Sequence, residues 1–166
     1  MKKHIINQHD MTSLISKIAR EIHLSHWKPD YIVGLTRGGL IPAVMLSHYF
    51  EIPMHALSVS LRDGGQTVSD LGMAEDAFEG KNILIVDDIN DTGATLNWII
   101  NDWPSGCFPL NEERWDKVWG NNVRFAVIVD NLASQCDIKM NYVGMEVNKA
   151  ENDVWIEFPY EEWWTK

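Results

Sequence analysis

Three short apolar runs constrain the fold of this chain more than any other feature. Residues Tyr31–Leu35, 82–86 and 123–129 are apolar at nearly every position rather than at every second one, so both faces of each strand are expected to be buried. Segments with helical periodicity, such as Leu40–Phe50, separate these runs. Buried strands that alternate with helices are typical of a mostly parallel sheet covered on both sides. We therefore predict an α/β fold with a mostly parallel central sheet flanked by helices.

The same patterns predict the order of the elements. They are a helix from Asp10 or Thr12 to about His23, strand Tyr31–Leu35, helix Leu40–Phe50, strand 54–60, strand 82–86, helix 93–101, a short helical piece at 112–119, strand 123–129 and strand Tyr142–Val147. Residues 61–80 are polar and aperiodic, which predicts a long loop, and such loops are usually functional or mobile. A chain of 166 residues is expected to form one domain, 1–166.

The charge balance excludes some classes of partner. The chain carries 14 Lys and Arg against 24 Asp and Glu, a formal net charge of −10, which argues against nucleic acid as a partner. A small anionic ligand remains compatible, because backbone amides and one or two cations suffice to bind it. No apolar run approaches the ~20 residues that span a membrane. We expect a cytoplasmic protein whose Cys107 and Cys136 are reduced.

The stretch ILIVDDINDTGATL places acids and hydroxyls where a strand gives way to a helix. Backbone N–H groups at a helix N-terminus, with Gly93 allowing close approach and Thr92 and Thr95 adding hydroxyls, can hold a phosphate. Asp87 and Asp88 would repel that phosphate but suit the two hydroxyls of a ribose, or Mg²⁺. Together these features describe a ribose 5-phosphate site. The alternative is that the acids are simply solvated and that one polar residue caps the helix.

This stretch also carries a family resemblance. IVDDINDTGATL resembles the phosphoribosyl pyrophosphate (PRPP) signature of type I phosphoribosyltransferases. IVGLTRGGLIPAVMLSHYFEIP is similar to the first-strand region of bacterial xanthine-guanine phosphoribosyltransferases, and VWIEFPYE resembles their base-binding segment. The resemblance runs in order from about Tyr31 to Tyr160. It implies the type I phosphoribosyltransferase fold, with a small hood that the C-terminal segment forms over the base.

The resemblance implies three groups of site residues. Pyrophosphate contacts are expected from two loops, at Thr36, Arg37, Gly38, Gly39 and Arg62. The ribose 5-phosphate is expected at Asp87, Asp88, Asp91, Thr92, Gly93, Ala94 and Thr95. The base is expected at Asn131, Trp155 and Ile156. Among these, the implied catalytic residues are Arg37, Asp87, Asp88 and Asp91, and Asp88 lies nearest the Mg²⁺.

The implied reaction transfers the phosphoribosyl group from PRPP to a purine base and releases pyrophosphate. The implied acceptors are 6-oxopurines (xanthine, guanine or hypoxanthine), the pathway is purine salvage, and the assembly is a homodimer or homotetramer. Asp91 would exchange a proton at N7 of the purine, and Trp155 would stack on the base. Two alternatives stay open: transfer to another nitrogen base, and a non-catalytic regulator that binds PRPP or a nucleotide.

The chain departs from the family pattern in two places. Family members usually have a lysine shortly after the strand at 123–129, where its ammonium donates to the 6-oxo oxygen, and this chain has Asn131. A weaker preference for 6-oxopurines follows, unless Lys139 or Lys149 supplies the charge. The family's mobile loop commonly starts with Ser-Tyr, whereas here Ser-Leu precedes Arg62. Contact between Arg62 and pyrophosphate and simple solvent exposure of Arg62 are equally compatible with the sequence.

Overall fold

The computed structural model describes residues 1–59, 70–107 and 111–165. In chain order the elements are β1 (Lys2–Ile5), α1 (Gln8–Leu24), β2 (Tyr31–Leu35), α2 (Leu40–Phe50), β3 (Met54–Leu57), α3 (Leu71–Phe78), β4 (Ile83–Asn90), α4 (Ala94–Gly106), α5 (Glu112–Asp116), β5 (Val123–Asn131), β6 (Tyr142–Val147), β7 (Val154–Glu157) and a 3₁₀ turn (Trp163–Thr165). Five strands form a sheet in the order β3-β2-β4-β5-β6. Every neighbouring pair in it is parallel, which confirms the predicted α/β class.

Both faces of this sheet are buried, as the apolar runs predict. In β4, Ile83 and Ile85 join a cluster that includes residues of α3, α4 and α5, whereas Leu84 and Val86 join a second cluster with α1 and α2. All four side chains are at most 1% exposed. Complete burial of a side chain of this size contributes about 1.5–3 kcal/mol, so the two clusters account for much of the stability of the sheet.

A separate two-stranded parallel sheet joins the two ends of the chain. Strand β1 pairs with β7, and Lys3 Nζ lies 3.1 Å from Glu157 Oε2, a carboxylate of a buried residue. The C-terminal segment is expected to form the small hood, and the structure pairs its strand β7 with β1 from the N-terminal segment. Strand β1 was not predicted because all four of its residues are exposed and give no apolar pattern.

Helix α3 corrects the prediction of an unbroken loop over 61–80. Its first turn is capped by Asp70, whose Oδ1 accepts a hydrogen bond from the backbone N–H of Met73 (2.9 Å). Met73 and Ala77 are buried on one face of the helix. The helix was missed because it is short and because Gly72 in its first turn weakens the pattern. The first part of the predicted loop, with Arg62, lies outside the described residues.

Several other boundaries differ from the prediction: β3 ends at Leu57, α5 at Asp116 and β5 at Asn131. Helix α1 begins at Gln8, because Asn7 Oδ1 accepts from the backbone N–H of Asp10 (2.8 Å) and Asp10 Oδ2 accepts in return from that of Asn7 (3.1 Å). Strand β4 continues to Asn90 and helix α4 to Gly106.

In the described part of the chain, no helix is both long and apolar enough to cross a membrane.

Candidate active site

The predicted site residues of β4 and β5, and of the loops that follow β2 and β4, lie at the carboxyl edge of the central sheet. Strands β2, β4 and β5 are parallel neighbours, so the segments that follow them lie at one edge, where ligands bind in sheets of this type. Asp87 pairs in register with Val127 and Asn90 with Asp130. The acid pair therefore lies in the second half of β4, whereas the sequence pattern predicts it after the strand.

The two acids of the predicted ribose site are half-buried. Asp87 Oδ1 accepts a hydrogen bond from the backbone N–H of Asp88 (2.9 Å), and Asp88 Oδ1 accepts one from that of Ile89 (2.8 Å). The other oxygen, Asp88 Oδ2, accepts a hydrogen bond from the hydroxyl of Tyr160 (2.8 Å). Burial, with the negative charge of Asp88 second, raises the pKa of Tyr160 above its usual value. This side chain is therefore a hydrogen-bond donor at neutral pH.

The loop after β2 packs directly against the acid pair. A Cβ atom on Gly38 would overlap the carboxylate of Asp88, at 2.5 Å from its Cγ, and would lie 3.0 Å from the hydroxyl of Tyr160. Only glycine therefore lets this loop approach the acids so closely. The peptide bond between Thr36 and Arg37 is cis, and the Arg37 side chain is exposed. The predicted pyrophosphate and ribose groups are thus in contact at Gly38.

The predicted phosphate loop is braced by the segment that follows β5. Gly93 has a φ of 90°, and a Cβ on it would lie 2.7 Å from Ser134 Oγ and 2.8 Å from Cys136 Cα. The backbone N–H of Gln135 donates to the carbonyl of Thr92 (2.9 Å). Helix α4 starts at the next residue, Ala94. The loop is therefore held against the helix N-terminus, an arrangement that favours a bound phosphate.

Asp91, the predicted proton-transfer residue, forms an ion pair with Lys149. Lys149 Nζ lies 3.0 Å from Asp91 Oδ1, and the two side chains are 16% and 21% exposed. Beneath them, Asn131 Nδ2 donates to the Asp91 carbonyl (2.9 Å), and Asn131 Oδ1 accepts from the backbone N–H groups of Ala133 (3.1 Å) and Lys149 (3.0 Å). Asn131 is 6% exposed. The Asn131 amide therefore links the loop that contains Asp91 to the segment that contains Lys149. The Lys149 ammonium places a positive charge beside Asp91.

Comparison with known proteins decides the family. The model of the phosphoribosyl transferase domain matches residues 2–162. The chain belongs to the phosphoribosyltransferase family. Xanthine phosphoribosyltransferase 1 of Saccharomyces cerevisiae is 26% identical over 121 residues, and that match covers 58% of each chain. The chain thus spans less than two thirds of that relative.

Two solved structures are similar over nearly the whole chain. The purine phosphoribosyltransferase from Pyrococcus horikoshii is 27% identical with a TM-score of 0.69, and the match covers 98% of this chain and 96% of that one. A hypothetical protein from Neisseria gonorrhoeae with bound ppGpp is 25% identical with a TM-score of 0.68, and covers 97% and 90%. The type I fold implied by the sequence resemblance is therefore confirmed.

Two predicted base-binding residues of this phosphoribosyltransferase, Trp155 and Ile156, differ in solvent exposure. Trp155 is 43% exposed, so its ring is available for stacking. Ile156, the next residue of β7, is 5% exposed and packs in the core with Phe158. Successive side chains of a strand point to opposite faces, so the Ile156 side chain lies on the face opposite that of Trp155. Their roles stay predictions.

The sequence analysis did not predict Tyr160 as a site residue. It named Lys149 only as one of two possible substitutes for the lysine that family members carry after β5. Tyr160 contacts a residue 72 positions earlier, and nothing in its local sequence indicates that partner. The other substitute, Lys139, lines an open groove with Lys17 and Glu146. The one usable signal for Lys149 is that it follows a strand of the sheet, because the segment after a parallel strand reaches the edge where ligands bind.

Proposed function

We propose that this chain transfers the 5-phosphoribosyl group of PRPP to a 6-oxopurine, giving a nucleoside monophosphate and pyrophosphate in purine salvage. Family membership and the names of the yeast and Pyrococcus relatives support this function. One observation carries this proposal: three groups of residues lie together at one edge of the sheet. They are the Asp87–Asp88 pair, the loop around Gly93 and the Asp91–Lys149 ion pair. We propose that residues 1–166 form one such domain.

Each part of this edge suits one part of PRPP. The N-terminus of α4 with Thr92 and Thr95 would bind the 5-phosphate through backbone N–H groups and hydroxyls. Asp87 and Asp88 would accept hydrogen bonds from the ribose hydroxyls. Arg37, exposed beside Gly38, would donate to pyrophosphate as negative charge develops on it.

Mg²⁺ fits the acid pair as a cofactor. Mg²⁺ is usually held by one or two carboxylates together with substrate phosphates, and two adjacent half-buried carboxylates are present at the end of β4. The described residues contain no group of three or more His, Cys, Asp or Glu that could hold a metal, so the remaining ligands would be PRPP oxygens and water. We propose Asp88 as the protein contact. Bound there, Mg²⁺ would neutralise charge on the departing pyrophosphate.

Lys149 would select the base. Guanine presents N7 and O6 as adjacent acceptors, whereas adenine presents a donor at the second position. An ammonium 3.0 Å from the Asp91 carboxylate could donate to O6 while Asp91 serves N7. The preference for 6-oxopurines would then survive the absence of a lysine at position 131.

A product assay tests the function and the role of Lys149 together. The protein is incubated with Mg²⁺, PRPP and each of guanine, hypoxanthine, xanthine, adenine, uracil and orotate, and nucleotides are separated by chromatography. We expect nucleotides from the 6-oxopurines. Lys149→Met should lower kcat/KM for them by about 10- to 100-fold, the factor expected for one good base contact. The matched control Lys139→Met should leave the rates unchanged, and an equal loss in both variants would contradict the assignment of Lys149.

Two alternatives remain as outcomes of the same assay. If a nucleotide forms only from uracil or orotate, the acceptor is a pyrimidine base and not a purine. A regulator that binds nucleotides without turnover is favoured by one observation, the similar Neisseria structure with bound ppGpp. Absence of any nucleotide product, with ppGpp binding in a calorimetric titration, would support the regulator.

We also propose a cytoplasmic homo-oligomer. Cys107 and Cys136 are both free thiols, as expected in a reducing compartment. Exposed apolar side chains of α2, Ile41, Val44 and Tyr49, offer a surface for a second copy. Sedimentation velocity would separate a monomer from a dimer or tetramer.

A further inference from the structure

The C-terminal segment reaches back to the acid pair through one hydroxyl. Tyr160 Oη donates to Asp88 Oδ2 at 2.8 Å. The contact joins the tail beyond β7 to the end of β4, two parts of the chain that the main sheet does not connect. We propose that Tyr160 is a positioning residue that holds the Asp88 carboxylate ready for the ribose of PRPP, an inference that rests on the proposed function.

The ring of Tyr160 is itself held in place. It stacks on Phe158 with ring centroids 5.5 Å apart and an interplanar angle of 2°, and Phe158 is 1% exposed in the core. Glu161 closes the turn, since its Oε2 accepts from the backbone N–H of Phe158 (3.2 Å) and its own N–H donates to the Phe158 carbonyl (3.0 Å). The hydroxyl is therefore presented to Asp88 from a fixed support.

The Asp88 carboxylate is restrained from three sides. Its Oδ1 accepts from the backbone N–H of Ile89, its Oδ2 accepts from Tyr160, and the backbone of Gly38 lies against it. Without the tyrosine hydroxyl, Oδ2 would lose the donor that fixes its direction. The carboxylate would then have to be ordered when PRPP binds, which weakens binding.

The tyrosine hydroxyl occupies only one of the acceptor sites of Asp88 Oδ2. A carboxylate oxygen offers two lone-pair sites, and Tyr160 uses one of those on Oδ2. A ribose hydroxyl can use the second while the tyrosine contact persists. Tyr160 therefore acts before and during PRPP binding, and the Michaelis constant for the base should not depend on it.

The test is Tyr160→Phe, which removes the hydroxyl and keeps the ring on Phe158. Calorimetric titration with PRPP and Mg²⁺ should show about tenfold weaker binding, which corresponds to about 1.4 kcal/mol. In the steady state, KM for PRPP should rise by a similar factor, with kcat and KM for the base changed less than twofold. Tyr31→Phe, which removes a hydroxyl that donates to Asp76 Oδ2 at 2.8 Å, is the matched control and should bind PRPP like the wild type.

A double-mutant cycle separates positioning from packing. In an Asp88→Asn background, Tyr160→Phe should have little further effect on PRPP binding, because the two residues act as one unit. Additive effects would assign the loss to packing of the tail and overturn the inference. Unchanged or tighter PRPP binding by Tyr160→Phe would also overturn it, the latter by showing that the hydroxyl competes with the ribose. If the wild type itself does not bind PRPP, the proposed function fails first and the inference falls with it.

Discussion

Replacing Gly93 with alanine tests whether the phosphate loop is built against the segment after β5. Gly93 has a φ of 90°, and a Cβ on it would lie 2.7 Å from Ser134 Oγ and 2.8 Å from Cys136 Cα. Gly80 is a matched control, since its φ is 94° but no atom lies within 4 Å of its Cβ position. Both substitutions impose the same backbone strain, and only the first adds a steric clash.

The two costs can be separated by subtraction. A non-glycine residue at such a φ costs about 1–3 kcal/mol, and the gain from restricting the unfolded chain is common to both variants. Forcing a methyl group into a filled site costs about 1–3 kcal/mol more. Gly93→Ala should therefore be less stable than Gly80→Ala by about 1–3 kcal/mol, because the atoms in its way include backbone.

Urea and thermal denaturation of the two variants measure this difference directly. For a chain of this length, each kcal/mol lowers the melting temperature by about 2–4 °C. Gly93→Ala should also bind ribose 5-phosphate more weakly, whereas Gly80→Ala should bind it like the wild type. Equal loss of stability in the two variants would refute the close contact between the phosphate loop and the segment around Cys136.

Two other substitutions test the predicted base-binding residues Trp155 and Asn131. Trp155→Ala should raise KM for the base about tenfold or more and leave KM for PRPP unchanged, because stacking on an aromatic ring contributes about 1–3 kcal/mol per base; equal effects on both constants in steady-state assays would contradict a stacking role. Asn131→Ala should lower the free energy of unfolding in urea by about 1–3 kcal/mol, because the backbone N–H groups of Ala133 and Lys149 lose their acceptor; unchanged stability would contradict the bracing role.

The layers of the fold could be predicted because the sequence pattern and the burial express the same constraint. Strands β2, β4 and β5 carry apolar residues at successive positions, and Leu84 and Ile85 are indeed buried on opposite faces. A strand packed on both sides has few positions that tolerate a polar residue. Pattern alone was therefore sufficient for the interior of the sheet.

The ends of the elements were harder to predict, since a partner elsewhere in the chain decides them. Strand β4 continues through Asp87 and Asn90 because β5 also continues, to Asn131, and offers them hydrogen-bonding partners. Helix α3 is a short element whose stability depends on burying Met73 and Ala77. Neither partner is visible in a local window of sequence.

The contacts among Asp91, Asn131 and Lys149 show how residues that are distant in sequence form one site. Strands β5 and β6 are parallel neighbours with Asn131 opposite Val147, so the residues after each strand meet at the same edge of the sheet. Lys149 follows Val147 by two positions, and its backbone N–H donates to Asn131 Oδ1. A cation expected after β5 can therefore come from the end of β6 and still reach Asp91. In the proposed function, the base would then meet a positive charge beside Asp91, although the lysine that carries it follows β6 rather than β5.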